Sequence, residues 1–379
     1  MEYSIDDYGS MIATPARMDA YVRAVQALAP GAFVLELGTG PGLLALLANR
    51  FGARRVVAVE PDEVIELARG IARANGVADS IEFHQALSNE IELDERADVI
   101  VSDLRGILPF HTGHIRAIID ARERLLTSGG TMIPRADTLR AAIVTDREEY
   151  ERRIGIWSSH ARGFDLRTIR DVAVNAWWGH RVEESQSLTE PHLLATLDYH
   201  TIQEPELVAE ASLDVTRAGP AHGICIWFDT ELVEGVRFSN APGQPDALYG
   251  QAFFPLADPV EVEAGDMVRL RLRAKLAGGD YVWGWSTVLL RDGKTIADFR
   301  QSTALGLLLT RRLLERSSDD FIPVLSEEGK AAKLCLEAMD GKQSLREIAA
   351  RLSDRFPRLS ARGGDSLHFV VQLAQKYSR

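Results

Sequence analysis

The stretch from Val34 to Gly42, VLELGTGPG, constrains the fold more than any other part of this 379-residue chain. A β-forming run leads into it, and a helical pattern and a second apolar run, residues 56–59, follow. Glycines at such a turn let the backbone pass close under a ligand, because they carry no side chain and accept positive φ. Glu60 ends the second strand, where an acid can bind both hydroxyls of a ribose. The stretch therefore predicts a β-α-β unit that binds a ribose-containing ligand.

The spacing of the glycines narrows the choice of ligand. They follow G-x-G-x-G, and not the G-x-G-x-x-G of a dinucleotide site, so a pyrophosphate cradle is less supported. At these residues the chain resembles the class I S-adenosylmethionine (SAM)-dependent methyltransferases. The resemblance implies SAM as cofactor, and an NAD or FAD enzyme or a purely structural turn are the alternatives. The cofactor-binding residues expected from this motif are Glu36, Gly38, Gly40, Gly42 and Glu60.

Composition sets limits on the function. The chain is 46% hydrophobic and 26% charged, which is ordinary for a soluble globular protein. A net charge of −12 argues against a general grip on nucleic acid. The two cysteines lie far apart and predict neither a metal site nor a disulfide framework. We find no apolar run of about 18 residues and no signal peptide, so we expect no membrane association and a cytoplasmic location.

The alternation of elements predicts the architecture. Residues 1–142 read as helices and strands in turn, which favours a doubly wound, mostly parallel α/β sheet, a Rossmann-like domain. From residue 143 to about 310, short β-rich segments separated by turn residues predict an antiparallel, barrel-like domain. The expected fold class is therefore α/β with a second, β-barrel-like domain.

The same regions resemble the protein arginine methyltransferases. Met11, Arg17 and Tyr21 keep the spacing of that family's N-terminal helices, and GICIWFDT with FSNAPGQPD is similar to its barrel signature. The resemblance implies that Met11, Arg17 and Tyr21 close over SAM, with Arg17 on the methionyl carboxylate, whereas a surface Arg is usually just solvated. In the family register Ser88 and Asn89 are at the adenine edge. Residues 152–175 resemble the family's dimerisation arm, which implies a homodimer; a helical hairpin packed on its own barrel is the alternative.

The tail, residues 318–379, resembles a different family. It contains a strand-like piece, residues 321–325, then a helix, the turn Asp340-Gly341, a helix that starts SLREIAARL behind a capping box of Ser344 and Glu347, and a last helix. The pattern of the helices and the turn is similar to PqqD-like domains. That resemblance implies a small winged-helix-like module that holds the leader of a precursor peptide as an extra β-strand. A DNA-binding winged helix and a stabilising appendix are the alternatives.

The loop SDLRGILPFHT carries the candidate catalytic residues. By resemblance Asp103 is the first acid position, Thr112 stands at the second, and Leu248 stands at the barrel histidine position. One carboxylate would leave a buried guanidinium partly unpaired. Arg105 could instead receive a substrate carboxylate, and His111 could act as a general base, although His111 and His114 could also merely begin the next helix. Carboxylate and nitrogen acceptors both stay open.

Taken together, these patterns favour a SAM-dependent methyltransferase that modifies a ribosomally synthesised precursor peptide, with the tail holding the leader. The first alternative is a protein arginine N-methyltransferase. The second is a non-catalytic scaffold that binds SAM or peptide. The candidate catalytic residues are Asp103, Arg105 and His111, and no metal is expected.

Overall fold

The computed structural model describes residues 3–159, 162–244, 250–308, 310–357 and 365–378. The chain divides into two compact units, Met1–Leu307 and Leu308–Arg379.

The first unit begins with an α/β region. Two helices, held at the start by a capping box between Ser4 and Asp7, precede the first strand. The helices are α1 (Ile5–Ala13), α2 (Pro15–Leu28), α3 (Leu43–Arg50), α4 (Ile65–Ala74) and α5 (His114–Arg124), and the strands are β1 (Phe33–Leu37), β2 (Arg55–Val59), β3 (Glu82–His84), β4 (Ala97–Ser102) and β5 (Leu126–Ile133).

These strands form a parallel sheet in the order β3-β2-β1-β4-β5. Leu37 pairs with both Val59 and Ser102, so β1, β2 and β4 end at the same level. The chain order reverses between β1 and β4, and ligands of such sheets bind at that crevice. The residues that follow these three strands therefore meet at one edge, as the predicted doubly wound fold requires.

Two antiparallel sheets follow. Their orders are β7-β12-β10-β6-β8, with β11 beside β10, and β15-β14-β13-β9. β6 begins before the predicted boundary at residue 143 and crosses it, and it already belongs to the antiparallel part. The strands are β6 (Ala136–Val144), β7 (Trp178–His180), β8 (His192–Asp198), β9 (Leu207–Asp214), β10 (Gly219–Val233), β11 (Val236–Ser239), β12 (Gln251–Val262), β13 (Met267–Ala277), β14 (Asp280–Arg291) and β15 (Lys294–Ser302).

One apolar core joins the parallel and antiparallel parts. Leu35 and Ile100 of the parallel sheet belong to the same buried cluster as Ile224, Phe254 and Trp285 of the antiparallel sheets. The predicted boundary between residues 142 and 143 therefore lies inside one packed unit.

The described residues of the segment predicted as an arm, residues 152–175, are mostly helical. They hold most of a π-helical turn (Glu151–Gly155), α7 (Ile156–Ser159) and α8 (Arg167–Ala173), and α6 (Arg147–Tyr150) precedes them. Ile156, Phe164 and Ile169 expose large apolar side chains there.

The second unit has a small core of its own. It holds α9 (Arg311–Arg316), α10 (Glu327–Ala338), α11 (Leu345–Arg355) and α12 (Ser366–Tyr377), and the predicted capping box of Ser344 and Glu347 is present. The predicted strand-like piece, residues 321–325, is irregular and exposed, and the described residues of this unit contain no strand. Across all the described residues we find no helix with the length and apolar character needed to cross a bilayer.

Candidate active site

A cavity of about 650 Å³ opens at the edge where β1, β2 and β4 end. The N-terminal helices cover one side of it, and the loop between β4 and α5 forms another. The sequence-predicted residues that line it are Met11, Arg17, Glu36, Gly38, Gly40, Glu60, Ser88, Asn89, Asp103 and His111.

The glycines leave no room for side chains. A Cβ on Gly38 would lie 2.3 Å from Leu104 Cδ2, and one on Gly40 would lie 2.6 Å from Tyr8 Cε1. Both residues have positive φ, which L-amino acids with side chains rarely adopt. Gly42 is not among the residues that line the cavity, and a Cβ on it would lie 2.9 Å from the Cβ of Ala68. Its part in cofactor binding stays a prediction.

Two acids face the cavity from neighbouring strands. Glu36 is buried in β1, and burial raises the pKa of its carboxyl to about 8, although a 2.6 Å hydrogen bond from Thr39 Oγ1 opposes the shift. Glu60 follows β2 and accepts the backbone N–H of Gly40 at 2.9 Å. Burial raises the pKa of Glu60 as well, but this hydrogen bond and another from Asp62 N–H favour the charged form.

Arg17 and Asp103 form an ion pair inside the cavity. The Nε and Nη2 atoms of Arg17 donate to Asp103 Oδ2 at 2.9 and 2.6 Å, and Nη1 donates to the carbonyl of Met11. Burial opposes the charge on Asp103, but Arg105 and Arg17 outweigh it and lower the pKa of Asp103 to about 2. The predicted contact of Arg17 with SAM is thus compatible with its position, and Asp103 is the partner it already has.

Arg105 is buried and uses all five of its N–H donors. They reach Asp103 Oδ1 twice, Asp137 Oδ1, Thr230 Oγ1 and the hydroxyl of Tyr21, all within 3.0 Å. Arg105 does not line the cavity. The prediction that Arg105 receives a substrate carboxylate does not fit this geometry, because no donor remains. Its guanidinium instead fixes the orientation of Asp103.

The two histidines of the loop differ in burial. His111 lies half-buried beside Gly106, and burial lowers the pKa of its imidazole. His114 begins α5 and is buried, with Nδ1 2.8 Å from the carbonyl oxygen of Pro109. Both line the cavity. Neutral imidazoles at this position can bind or orient an acceptor.

Sequence reasoning missed several parts of this site. Tyr8 covers Gly40, Asp137 in β6 accepts from Arg105, and the hydroxyl of Tyr199, just after β8, donates to Asp137 Oδ2. The Gly40 contact has no signal in the sequence, since Tyr8 lies 32 positions away in the chain. Tyr21 is fully buried and donates to the carbonyl of Ser102, so it does not close over the cofactor as expected. Leu248, predicted at the barrel histidine position, lies outside the described residues.

Comparison with known families places the chain. Residues 135–278 match the family described as the arginine methyltransferase oligomerization subdomain, and residues 18–145 match that described as ribosomal protein L11 methyltransferase (PrmA). An arginine N(omega)-methyltransferase of Streptomyces achromogenes subsp. streptozoticus is 30% identical over 73% of this chain and 74% of its own length.

Two other relatives are also named as arginine methyltransferases. The protein arginine N-methyltransferase 1 of Dictyostelium discoideum is 26% identical over 70% of this chain and 82% of its own. The probable protein arginine N-methyltransferase 6 of Arabidopsis thaliana is 30% identical over 59% of this chain, but the match spans only 53% of the Arabidopsis protein.

Solved structures show the same fold. The Trypanosoma brucei PRMT1 enzyme–prozyme heterotetramer with AdoHcy superposes with a TM-score of 0.72 at 24% identity, over 78% of this chain and 96% of that one. Arabidopsis thaliana protein arginine methyltransferase 10 superposes with a TM-score of 0.70 at 22% identity, over 79% and 97%. The close-packed turn at Gly38 and Gly40 and the acids Glu36 and Glu60 fit SAM, which is the cofactor. The chain is a SAM-dependent methyltransferase and belongs to the arginine methyltransferase family.

Proposed function

We propose that this protein transfers the methyl group of SAM to a guanidinium nitrogen of arginine. The observation that carries the proposal is that Arg17, Glu60 and Asp103 line one cavity at the edge of the parallel sheet. The names of the relatives support it, since all three are arginine methyltransferases. Those names differ in whether the acceptor is a protein, so the proposal covers free and polypeptide arginine.

The leading hypothesis from the sequence, methylation of a ribosomally synthesised precursor peptide, is wrong on these comparisons. The relatives are named for arginine methylation, and one of them is bacterial. The first alternative, an arginine N-methyltransferase, is the better supported function. The scaffold alternative is replaced too, because the chain is an enzyme by its family.

The residues of this chain divide the work as follows. When bound, SAM supplies a methyl group on a positive sulfur, open to in-line attack by an aligned nucleophile. Glu60 would hold the ribose, and Arg17 would hold the methionyl carboxylate. Because Arg17 now donates to Asp103 Oδ2, that exchange would release Oδ2 for an N–H of the acceptor guanidinium. Arg105 keeps Oδ1, so Asp103 stays charged and oriented.

The test is methyl transfer to defined acceptors. We expect incubation with SAM and with free arginine, an arginine-rich peptide or an arginine-rich protein to release S-adenosylhomocysteine from at least one mixture, with fragment masses that place the methyl on the guanidinium. Glu60→Gln should weaken SAM binding about tenfold or more, because a carboxylate that accepts both ribose hydroxyls is lost. Glu63→Gln, an exposed acid three residues on, is the matched control. Binding of SAM without turnover of any arginine acceptor would contradict the proposal.

We propose a homodimer formed through the arm, residues 152–175. Support comes from the exposed apolar side chains there and from the match to an oligomerization subdomain.

The domain limits predicted from the sequence, 1–142, 143–310 and 318–379, are kept as proposals. The cytoplasmic location stays a prediction.

For the second unit we propose a relation to PqqD-like modules that is confined to its helices. The support is the sequence resemblance and the order of α10, α11 and α12. The described residues of the second unit contain no strand to which a peptide could pair, so binding of a peptide as an added strand is not part of the proposal. An experimental structure in which these three helices pack in another arrangement would contradict the relation.

A further inference from the structure

His114 carries a buried nitrogen that no contact in the described residues uses. Its Nδ1 lies 2.8 Å from the Pro109 carbonyl oxygen, which can only accept, so Nδ1 carries the proton. Nε2 then has a free lone pair. That atom is buried and has no hydrogen-bond partner among the described residues. Its residue lines the cavity.

The imidazole is a neutral acceptor. Burial lowers the pKa of His114 to about 4, and the hydrogen bond to Pro109 opposes the shift only in part. A buried acceptor without a partner is unfavourable, because it has lost its hydrogen bonds to water and gained none in exchange. Five other buried side-chain nitrogen or oxygen atoms lack a partner among the described residues, and none of their residues lines the cavity: Ser102, Trp178, Trp227, Thr287 and Gln301. His114 is therefore the member of this set whose residue lines the cavity.

The position of His114 in the loop indicates which N–H donor would pair with Nε2. Thr112 stands at the second acid position, two residues before His114, and Asp103 alone supplies a carboxylate from this loop. Resting on the proposed arginine acceptor, we propose that His114 Nε2 accepts an N–H hydrogen bond from the acceptor guanidinium. It thereby does part of the work of a second carboxylate, without adding a charge to the site.

This contact also selects among acceptors. A guanidinium offers several N–H donors in one plane, so it can reach Asp103 and His114 together. A carboxylate has no N–H to donate, and its oxygens would face the lone pair of Nε2. Because Nε2 is buried in this structure, we expect the side chains around it to move when the acceptor binds.

Two substitutions distinguish the contributions of the two ring nitrogens of His114. His114→Asn keeps a donor near the Nδ1 position for Pro109 and removes the group at Nε2. His114→Gln places an amide near the Nε2 position. We expect His114→Asn to lower kcat/KM for the arginine acceptor about tenfold, mainly through KM, because one hydrogen bond to a charged group is lost. His114→Gln should retain more activity than His114→Asn. Both should bind SAM within about twofold of the unchanged protein, because neither removes a predicted SAM contact.

The control is His192→Asn, the same change in β8, which should leave the kinetics unchanged. If the unchanged protein methylates arginine and His114→Asn has the same KM, the inference is wrong while the proposed function stands. If no arginine acceptor is methylated although SAM binds, both are wrong.

A spectroscopic measurement does not depend on turnover. In the full chain with ¹⁵N-labelled histidine, the Nε2 signal of His114, assigned by its loss in His114→Asn, should move when arginine acceptor is added with S-adenosylhomocysteine. A signal that stays in place at saturating acceptor would overturn the inference.

Discussion

At the scale of single residues, two carboxyls of the same cavity are shifted in opposite directions. Glu36 is buried and Asp103 is partly buried, and the pKa of Glu36 is raised whereas that of Asp103 is lowered. The difference lies in their partners, a hydroxyl for Glu36 and two guanidinium groups for Asp103. Asp103 is therefore a permanent anion, whereas Glu36 is neutral at pH 7 until a cation approaches it.

The raised pKa of Glu36 predicts a pH-dependent stability. Its proton is bound in the folded protein up to about pH 8 but is lost near pH 4.5 in the unfolded chain. The stabilisation is full below pH 4.5 and is lost as pH rises through about 8. Relative to Glu36→Gln, the unchanged protein should lose up to about 1.4 kcal/mol of unfolding free energy per pH unit in that window.

Thermal or denaturant unfolding of both proteins from pH 5 to 9, without added cofactor, measures this difference. Glu63→Gln, at an exposed position, should follow the unchanged protein at every pH. A constant difference between the unchanged protein and Glu36→Gln across the range would show that Glu36 does not titrate there.

At the scale of elements, the turn between β1 and α3 shapes the cavity by what it leaves out. Gly38 and Gly76 both have a φ of 70°, but a Cβ at Gly38 meets Leu104 and one at Gly76 meets nothing within 4 Å. The two positions therefore carry the same backbone strain on substitution and differ in available space.

Gly38→Ala should consequently weaken SAM binding much more than Gly76→Ala. The new methyl group would push the Leu104 side chain from its place beside the cavity. We expect a loss of affinity of about tenfold or more, corresponding to a steric cost above 1 kcal/mol, measured by calorimetric titration with SAM. Equal affinities in the two variants would mean that Leu104 moves without cost.

Local patterns carried most of what the sequence predicted at this scale. The strand, glycine turn, helix and second strand around Gly38 are neighbours in the chain, so spacing alone located Glu60 at the cavity. The buried cluster around Arg105 could not be found in this way. Asp137 and Thr230 lie 32 and 125 positions from Arg105, and only the packing of antiparallel strands on the parallel sheet brings them together.

In the tail, a local pattern predicted an element that the structure does not describe. Residues 321–325, FIPVL, have strong β-forming character, but the structure describes no strand there, because no neighbouring strand completes a ladder. The capping box at Ser344 was predictable, since its two partners are three residues apart.

At the scale of the whole molecule, the shared core and the exposed arm have different consequences. The core joins the SAM-binding sheet to the antiparallel sheets, so no movement between them is expected. The arm leaves Phe164 74% exposed, a costly arrangement for a side chain of that size in an isolated chain.

The dimer proposal makes this exposure testable. If a second copy covers the arm, Phe164→Ser should shift the protein from dimer to monomer, because burial of a phenyl side chain contributes about 2 kcal/mol or more. Sedimentation equilibrium over a range of concentrations measures the shift. Val208→Ser, at a 65% exposed position on β9 outside the arm, is the matched control and should leave the dimer intact. An unchanged protein that sediments as a monomer at all concentrations would exclude the arm as a dimer contact, and Phe164 would then need another partner.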